Sequence, residues 1–158
     1  MATRVYLARH AEAAQAAPGE RDADRALTPA GVVRAKALGA AFTRARPPFD
    51  IRPAAVISSP ATRALSTAHA IAVALGLGVH AEPAIAPRHG AESVLGVIGD
   101  LADRGGACVV VGHNPTMGEV LESLGLRGGL RPGEIVALEV ESSGGVVTRA
   151  IEVGRDAG

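Results

Sequence analysis

Cysteine and aromatic residues are almost absent from this sequence. Cys108 is the only cysteine, tryptophan is missing, and aromatic residues make up 2% of the chain. A single cysteine cannot form an intramolecular disulfide, and it excludes zinc sites that need several cysteines. Because 47% of the residues are nevertheless hydrophobic, the core must be aliphatic. The 158 residues suit one well-packed domain and are too few for two, so we expect one domain over residues 1–158.

An excess of charge of either sign is also lacking. Sixteen basic and sixteen acidic residues give a formal net charge of zero, so no overall field draws the chain to nucleic acid or to an anionic membrane. Lys36 is the only lysine, and all other basic residues are arginine. No hydrophobic run has the length of a membrane span or the form of a signal peptide. We therefore expect a cytoplasmic protein with neither nucleic acid nor a membrane as partner.

Short runs rich in β-branched residues alternate with segments of helical periodicity. Strands are predicted over residues 3–8, 54–57, 79–81 and 107–111. Four helices are predicted between and after them from apolar residues three or four positions apart. Residues 134–141 and 146–153 then flank a turn and predict a hairpin. This order predicts an α/β fold, a three-layer α/β/α sandwich with a mixed, mostly parallel central sheet.

Three pairs of a capping residue and a proline predict where helices begin. They are Thr28-Pro29, Ser59-Pro60 and Asn114-Pro115. A serine, threonine or asparagine side chain can accept a hydrogen bond from the first helical turn. Proline suits the first helical position because the N–H that it lacks has no partner there.

Polar and cationic residues follow three of the predicted strands. Arg9 and His10 follow the first, Arg63 lies just beyond the second, and His113 follows the fourth. In an open α/β sheet the carboxyl ends of the strands face the ligand site. Each residue alone has an ordinary structural explanation, but together they predict an anion pocket suited to phosphate. The long irregular stretch over residues 12–26 is expected to be functional or mobile.

Four short segments form a recognisable set of motifs. They are LARHAE at residues 7–12, RALTPAG at 25–31, SSP with RA and TA at 58–68, and GHNP at 112–115. These motifs resemble those of the histidine phosphatase superfamily, whose fold is phosphoglycerate mutase-like. The resemblance covers essentially the whole chain and is strongest to the SixA-like phosphohistidine phosphatases.

The resemblance implies a role for each residue of the predicted pocket. His10 would be the nucleophile that becomes phosphorylated, while Arg9, Arg63 and His113 would bind the phosphoryl oxygens. Arg25 would add a further contact to the substrate. The chemistry agrees, because flanking cations keep a nucleophilic imidazole neutral and planar guanidinium groups match the spreading phosphoryl charge.

Two positions depart from the family pattern. Ala11 stands where the family usually has glycine, so its backbone must avoid the conformations that only glycine tolerates. The second departure concerns the proton donor, a carboxylate that larger members carry after the third strand. Here that region offers Glu82, His89 and Glu92, and the sequence does not decide among them.

The favoured function is hydrolysis of a phosphoryl group through a phosphohistidine enzyme intermediate, with a phosphohistidine protein as substrate. The first alternative is a phosphatase of a small phosphomonoester such as a sugar or nucleotide phosphate. The second is a binding module that keeps the pocket without turnover. Mutase activity is disfavoured because the short chain leaves little room to enclose a substrate. Neither a metal nor a nucleotide cofactor is expected, since no nucleotide-binding glycine loop or carboxylate cluster is present.

Overall fold

The computed structural model describes residues 2–158 as a central sheet covered by helices on both faces. The strands are β1 (Thr3–Arg9), β2 (Ala55–Ser58), β3 (Val79–Ala81), β4 (Cys108–Gly112), β5 (Ile135–Ser143) and β6 (Val146–Asp156). The helices are α1 (Pro29–Arg44), α2 (Thr62–Leu75), α3 (Ala91–Arg104) and α4 (Thr116–Ser123). Short 3-10 turns lie at Asp22–Asp24 and Pro83–Ile85.

The six strands are arranged in the order β3-β2-β4-β1-β5-β6. The first four in that order run parallel, whereas β5 is antiparallel to β1 and forms a hairpin with β6. The predicted α/β sandwich with a mixed, mostly parallel sheet is therefore confirmed. Because β2, β4 and β1 are neighbours and run parallel, their carboxyl ends lie side by side at one edge of the sheet.

Two hydrophobic cores cover the two faces of the sheet. Along β1 the side chains alternate, so that Val5 and Leu7 join the core beneath α3 and α4. Tyr6 and Ala8 join the opposite core beneath α1 and α2. The period-two alternation of a strand buried on both faces requires apolar residues at every position. The apolar stretches over residues 5–8 of β1 and 108–111 of β4 are buried in this way.

The chain's one tyrosine and both of its phenylalanines pack together in the second core. The Tyr6 and Phe42 rings meet edge to face with centroids 4.8 Å apart, and the Phe42 and Phe49 centroids are 5.0 Å apart. The Tyr6 hydroxyl donates to the Ile51 carbonyl at 2.8 Å. The few aromatic residues of the sequence thus pin the end of α1 and the following loop to the sheet.

Only one of the three predicted helix starts is confirmed. Thr28 caps α1, because its Oγ1 accepts a hydrogen bond from the Gly31 amide at 3.0 Å, with Pro29 in the first helical position. The prediction at Ser59-Pro60 is wrong, since α2 begins at Thr62. The prediction at Asn114-Pro115 is also wrong, since α4 begins at Thr116 without a side-chain cap.

Both failed caps have a physical reason. The Ser59 hydroxyl accepts from the Ala61 amide at 3.2 Å ahead of the helix, and it also contacts His113. The Asn114 amide donates instead to the Leu130 carbonyl at 2.7 Å. These side chains therefore form tertiary contacts across the site, which sequence neighbours alone do not reveal.

The chain between β1 and α1, residues 12–28, forms a loop that closes on itself. Ala13 and Leu27 form an isolated antiparallel bridge, and the Ala14 amide donates to the Ala26 carbonyl at 2.9 Å. The Thr28 amide donates to the Glu12 carbonyl at 3.0 Å. We refer to this segment as the 12–28 loop. Its tip carries the 3-10 turn Asp22–Asp24 and faces the edge where β1, β2 and β4 end.

No helix within residues 2–158 has both the length and the apolar character that crossing a bilayer requires.

Candidate active site

The ends of three parallel strands hold the backbone of the candidate site. Arg9 is the last residue of β1, and the amide of His10 donates to the Gly112 carbonyl at the end of β4, at 3.0 Å. The Ser59 amide, just beyond β2, donates to the Val111 carbonyl at 3.0 Å. The sheet ladder therefore continues one residue past each strand. This backbone positions Arg9, His10, Ser59 and His113, whereas Arg63 lies on α2 and Arg25 in the 12–28 loop.

His10 and His113 lie next to each other, as the sequence predicts for residues at adjacent strand ends. Their ring centroids are 5.2 Å apart, and the two residues are only 8% and 5% exposed. The two rings are therefore buried neighbours at the edge of the sheet where β1 and β4 end.

The hydrogen bond of the His10 ring determines which nitrogen can act as a nucleophile. Nδ1 lies 2.7 Å from the Ala11 carbonyl oxygen. A carbonyl only accepts, so Nδ1 carries the hydrogen, and in the neutral ring the lone pair belongs to Nε2. Ala11 has no positive φ, and its amide donates to Thr67 Oγ1 at 3.0 Å. The alanine at this glycine position is thus accommodated without strain.

His113 has one satisfied ring nitrogen and one free one. Nε2 lies 2.7 Å from the Ser59 hydroxyl, with which it forms a hydrogen bond. Nδ1 is buried and has no hydrogen-bond partner in the described part of the chain. A buried polar atom without a partner is costly, so this nitrogen is a candidate for contact with a bound polar group.

Three arginines converge on the histidines. The Arg63 side chain is 6% exposed and donates to the carbonyl and to Oδ2 of Asp22, at 2.9 and 3.0 Å. Arg25 donates to Oδ1 of Asp22 at 3.0 Å. Arg9 donates to the Leu130 carbonyl at 3.0 Å. The buried Nε atoms of Arg9 and Arg63 have no partner among residues 2–158, so both guanidinium groups retain donors for an anion.

Burial and the neighbouring cations keep both histidines neutral. Burial lowers the pKa of His10 to about 4, helped by the charges of Arg63, Arg9 and Arg25, against the opposing hydrogen bond to the Ala11 carbonyl. The pKa of His113 falls to about 3, first through burial and then through His10 and Arg63. The ring of His10 therefore keeps an available lone pair at neutral pH.

The three candidate proton donors have no polar contact with the site in the described residues. Glu82 accepts from the Ala84 amide at 3.3 Å and caps the turn that follows β3. Glu92 is exposed in the first turn of α3. The backbone carbonyl of His89 accepts from Thr116 Oγ1 at 3.3 Å, at the start of α4. Within residues 2–158 none of the three forms a hydrogen bond or ion pair with His10 or His113, and the donor stays a prediction without an assigned residue.

Sequence reasoning missed Asp22, and it placed Ser59 near the site without its contact to His113. Asp22 bridges Arg25 and Arg63, and Ser59 holds His113. The three-residue spacing of Asp22 and Arg25 was a usable signal, since such a pair meets within one helical turn. The contact of Asp22 with Arg63 spans 41 residues and has no signal in a single sequence.

Comparison with known proteins identifies similar sequences and folds. A family model described as the histidine phosphatase superfamily (branch 1) matches residues 5–93. No curated protein sequence matches the chain. The matched segment includes His10, Arg25 and Arg63, whereas His113 lies beyond it.

Solved structures resemble the chain over almost its entire length. A candidate phosphohistidine phosphatase SixA from Agrobacterium tumefaciens shares 30% identity with a TM-score of 0.82, and 99% of each chain is covered. A protein histidine phosphatase SixA complexed with tungstate shares 19% identity with a TM-score of 0.78, covering 97% of this chain and 96% of that one. A mycobacterial glucosyl-3-phosphoglycerate phosphatase shares 18% identity with a TM-score of 0.66, covering 96% and 97%. The last two likenesses show the fold alone.

Proposed function

The chain belongs to the histidine phosphatase superfamily, and from that premise we propose that it hydrolyses protein phosphohistidine through a phosphorylated His10. Membership of the family supports phosphatase activity in general. The substrate class and the role of each residue are our proposal. The observation that carries it is the buried pair His10 and His113, with ring centroids 5.2 Å apart, beside the guanidinium groups of Arg9 and Arg63.

In the first step Nε2 of His10 attacks the phosphorus atom. A bond forms between Nε2 and phosphorus while the bond from phosphorus to the leaving nitrogen breaks, and that nitrogen keeps the electron pair. Arg9 and Arg63 receive the charge that spreads over the equatorial oxygens. In the second step water attacks the phosphorus of phospho-His10, which releases phosphate and restores the free imidazole.

His113 is proposed to donate a hydrogen bond to the phosphoryl group. Its low pKa means that it enters the reaction uncharged, and its Ser59 hydrogen bond fixes the ring plane. When a phosphoryl dianion occupies the pocket, the negative charge favours the protonated form of the ring and raises its pKa. His113 can then donate to a phosphoryl oxygen as charge develops there.

The chemistry of the leaving group favours phosphohistidine as substrate. An alkoxide needs a positioned acid, because its departure without a proton at neutral pH is costly. The described residues place no carboxylic acid in contact with His10 or His113. Imidazole departs as a neutral molecule when its distal nitrogen is already protonated, so it needs no acid from the enzyme. The likeness to the Agrobacterium protein supports the same substrate class.

A small phosphomonoester is the second candidate substrate. Arg25 favours it, because its side chain is 22% exposed and could meet a second anionic group of a sugar or nucleotide phosphate at the mouth of the pocket. Both candidates use the same phosphoryl chemistry, so only the leaving group distinguishes them.

Side-by-side kinetics decide between the two substrates. We expect kcat/KM for a phosphohistidine protein or peptide to exceed that for phosphoserine peptides and sugar phosphates by at least roughly tenfold, about 1.4 kcal/mol of transition-state preference. All substrates are measured with one enzyme preparation in one buffer, by release of inorganic phosphate. A clear preference for a phosphomonoester would select the second candidate.

A further inference from the structure

One charged side chain of the site has no part in the catalytic steps above. The carboxylate of Asp22 binds Arg63 through Oδ2 and Arg25 through Oδ1, each at 3.0 Å. Its side chain is 61% exposed, whereas that of Arg63 is 6% exposed. Asp22 therefore stands at the boundary between the buried pocket and solvent, at the tip of the 12–28 loop.

This position carries an apparent disadvantage. A carboxylate bound to two phosphate-binding arginines repels an incoming phosphoryl dianion and competes with it for their N–H groups. An asparagine at this position would avoid that repulsion, although its single acceptor oxygen could keep the hydrogen bond to only one of the two arginines. A favourable contact with the substrate would offset this repulsion.

The state of the carboxylate limits what that contact can be. The hydrogen bond from Arg25, together with the charge and hydrogen bond of Arg63, holds the pKa of Asp22 below its ordinary value. At neutral pH Asp22 is thus an acceptor and cannot protonate a leaving group. Each carboxylate oxygen uses one lone pair on an arginine and keeps another for a substrate.

We propose that Asp22 is a specificity-determining residue that accepts a hydrogen bond from the distal ring N–H of a phosphohistidine substrate. The proposal rests on the proposed function and adds a residue to it. Asp22 would hold the substrate ring in its protonated form while the phosphorus–nitrogen bond breaks. The reacting nitrogen then takes the electron pair of that bond, the proton stays on the distal nitrogen, and neutral imidazole leaves.

The same contact discriminates against phosphomonoesters. A serine or sugar leaving group carries no N–H at the corresponding position. It gains nothing from Asp22, yet its phosphoryl group meets the same repulsion. A residue that only positioned Arg25 and Arg63 would act differently, because both substrate classes bind those arginines and would lose activity together.

The test compares two substrates in matched variants. We expect Asp22→Asn to lower the ratio of kcat/KM for a phosphohistidine peptide to kcat/KM for p-nitrophenyl phosphate by about tenfold, the value of one hydrogen bond to a charged group. Asp24→Asn is the control, because Asp24 lies in the same turn and its carboxylate pairs with Arg21 at 3.0 Å. That variant should keep the native ratio. Inhibition by vanadate reports whether the arginine pocket remains intact.

The outcomes separate this inference from the proposed function. A selective loss of phosphohistidine activity in Asp22→Asn, with vanadate inhibition retained, supports it. An equal loss on both substrates, or a parallel loss of vanadate inhibition, assigns Asp22 a purely structural role and overturns it. An unchanged ratio also overturns it and leaves the proposed substrate standing. If the native enzyme itself shows no preference for phosphohistidine, the proposed substrate fails and the role of Asp22 fails with it.

Discussion

At the scale of single residues, the tautomer of His10 is fixed by its own neighbour in the chain. The Ala11 carbonyl accepts from Nδ1, so Nε2 is the nitrogen available for phosphorylation. We expect His10→Ala to abolish turnover. We also expect brief exposure of the native enzyme to labelled substrate to trap phosphate on a histidine. Label that persists on the His10→Ala variant would remove His10 from the nucleophilic role.

Arg63 provides a second test at this scale. Its guanidinium uses two nitrogens on Asp22, and its buried Nε has no partner among residues 2–158. A lysine ammonium cannot reproduce this planar arrangement of donors. We expect Arg63→Lys to lower kcat/KM by at least about a hundredfold, about 2.7 kcal/mol, in steady-state assays. Near-native kinetics in that variant would contradict a guanidinium clamp.

At the scale of elements, the sequence predicted the fold better than it predicted the junctions. The β-branched runs and the three-to-four-residue periodicity found every strand and helix, because burial on a sheet face or a helix stripe leaves a local pattern. The junctions at Ser59 and Asn114 were wrong because both side chains bond residues far along the chain. Asp22 was missed for the same reason. Long-range polar contacts leave no periodic trace in one sequence.

The packing of α3 against the β5–β6 turn gives a prediction with an internal control. A Cβ on Gly99 would lie 2.0 Å from the Gly145 carbonyl oxygen, whereas a Cβ on Gly96 would meet nothing within 4 Å. We expect Gly99→Ala to lower the free energy of unfolding by about 1–3 kcal/mol through overpacking. Gly96→Ala, in the same helix, should raise it by up to about 1 kcal/mol. Urea unfolding of both variants measures the difference, and equal effects would contradict this close packing.

At the scale of the whole molecule, the two buried histidines make stability depend on pH. Their pKa values are about 4 and 3 in the folded protein, against about 6.5 in an unfolded chain. Below pH 6.5 the unfolded chain binds more protons than the native one, so stability falls with falling pH. The fall continues until the native histidines protonate. Each contributes a slope of about 1.4 kcal/mol per pH unit.

We expect the contribution of these two histidines to the free energy of unfolding to be constant above about pH 7. That contribution should decline between about pH 6 and 4. His113→Asn should reduce that slope by about half, because it removes one of the two groups. Urea titrations at several pH values give the slopes. A free energy of unfolding that does not change between about pH 6 and 4 would contradict a buried pair of neutral histidines. The lowered pKa of Asp22 acts only below about pH 4, outside this window.

The 12–28 loop meets its own ends through the Ala13–Leu27 bridge, while His10, His113 and Arg63 arise from the sheet edge and α2. The residues proposed to carry out phosphoryl transfer and the loop proposed to bind the leaving group thus belong to separate stretches of the sequence. Mutations at the loop tip can accumulate without disturbing either hydrophobic core. Such an arrangement would allow substrate specificity to change during evolution while the residues of phosphoryl transfer stay the same.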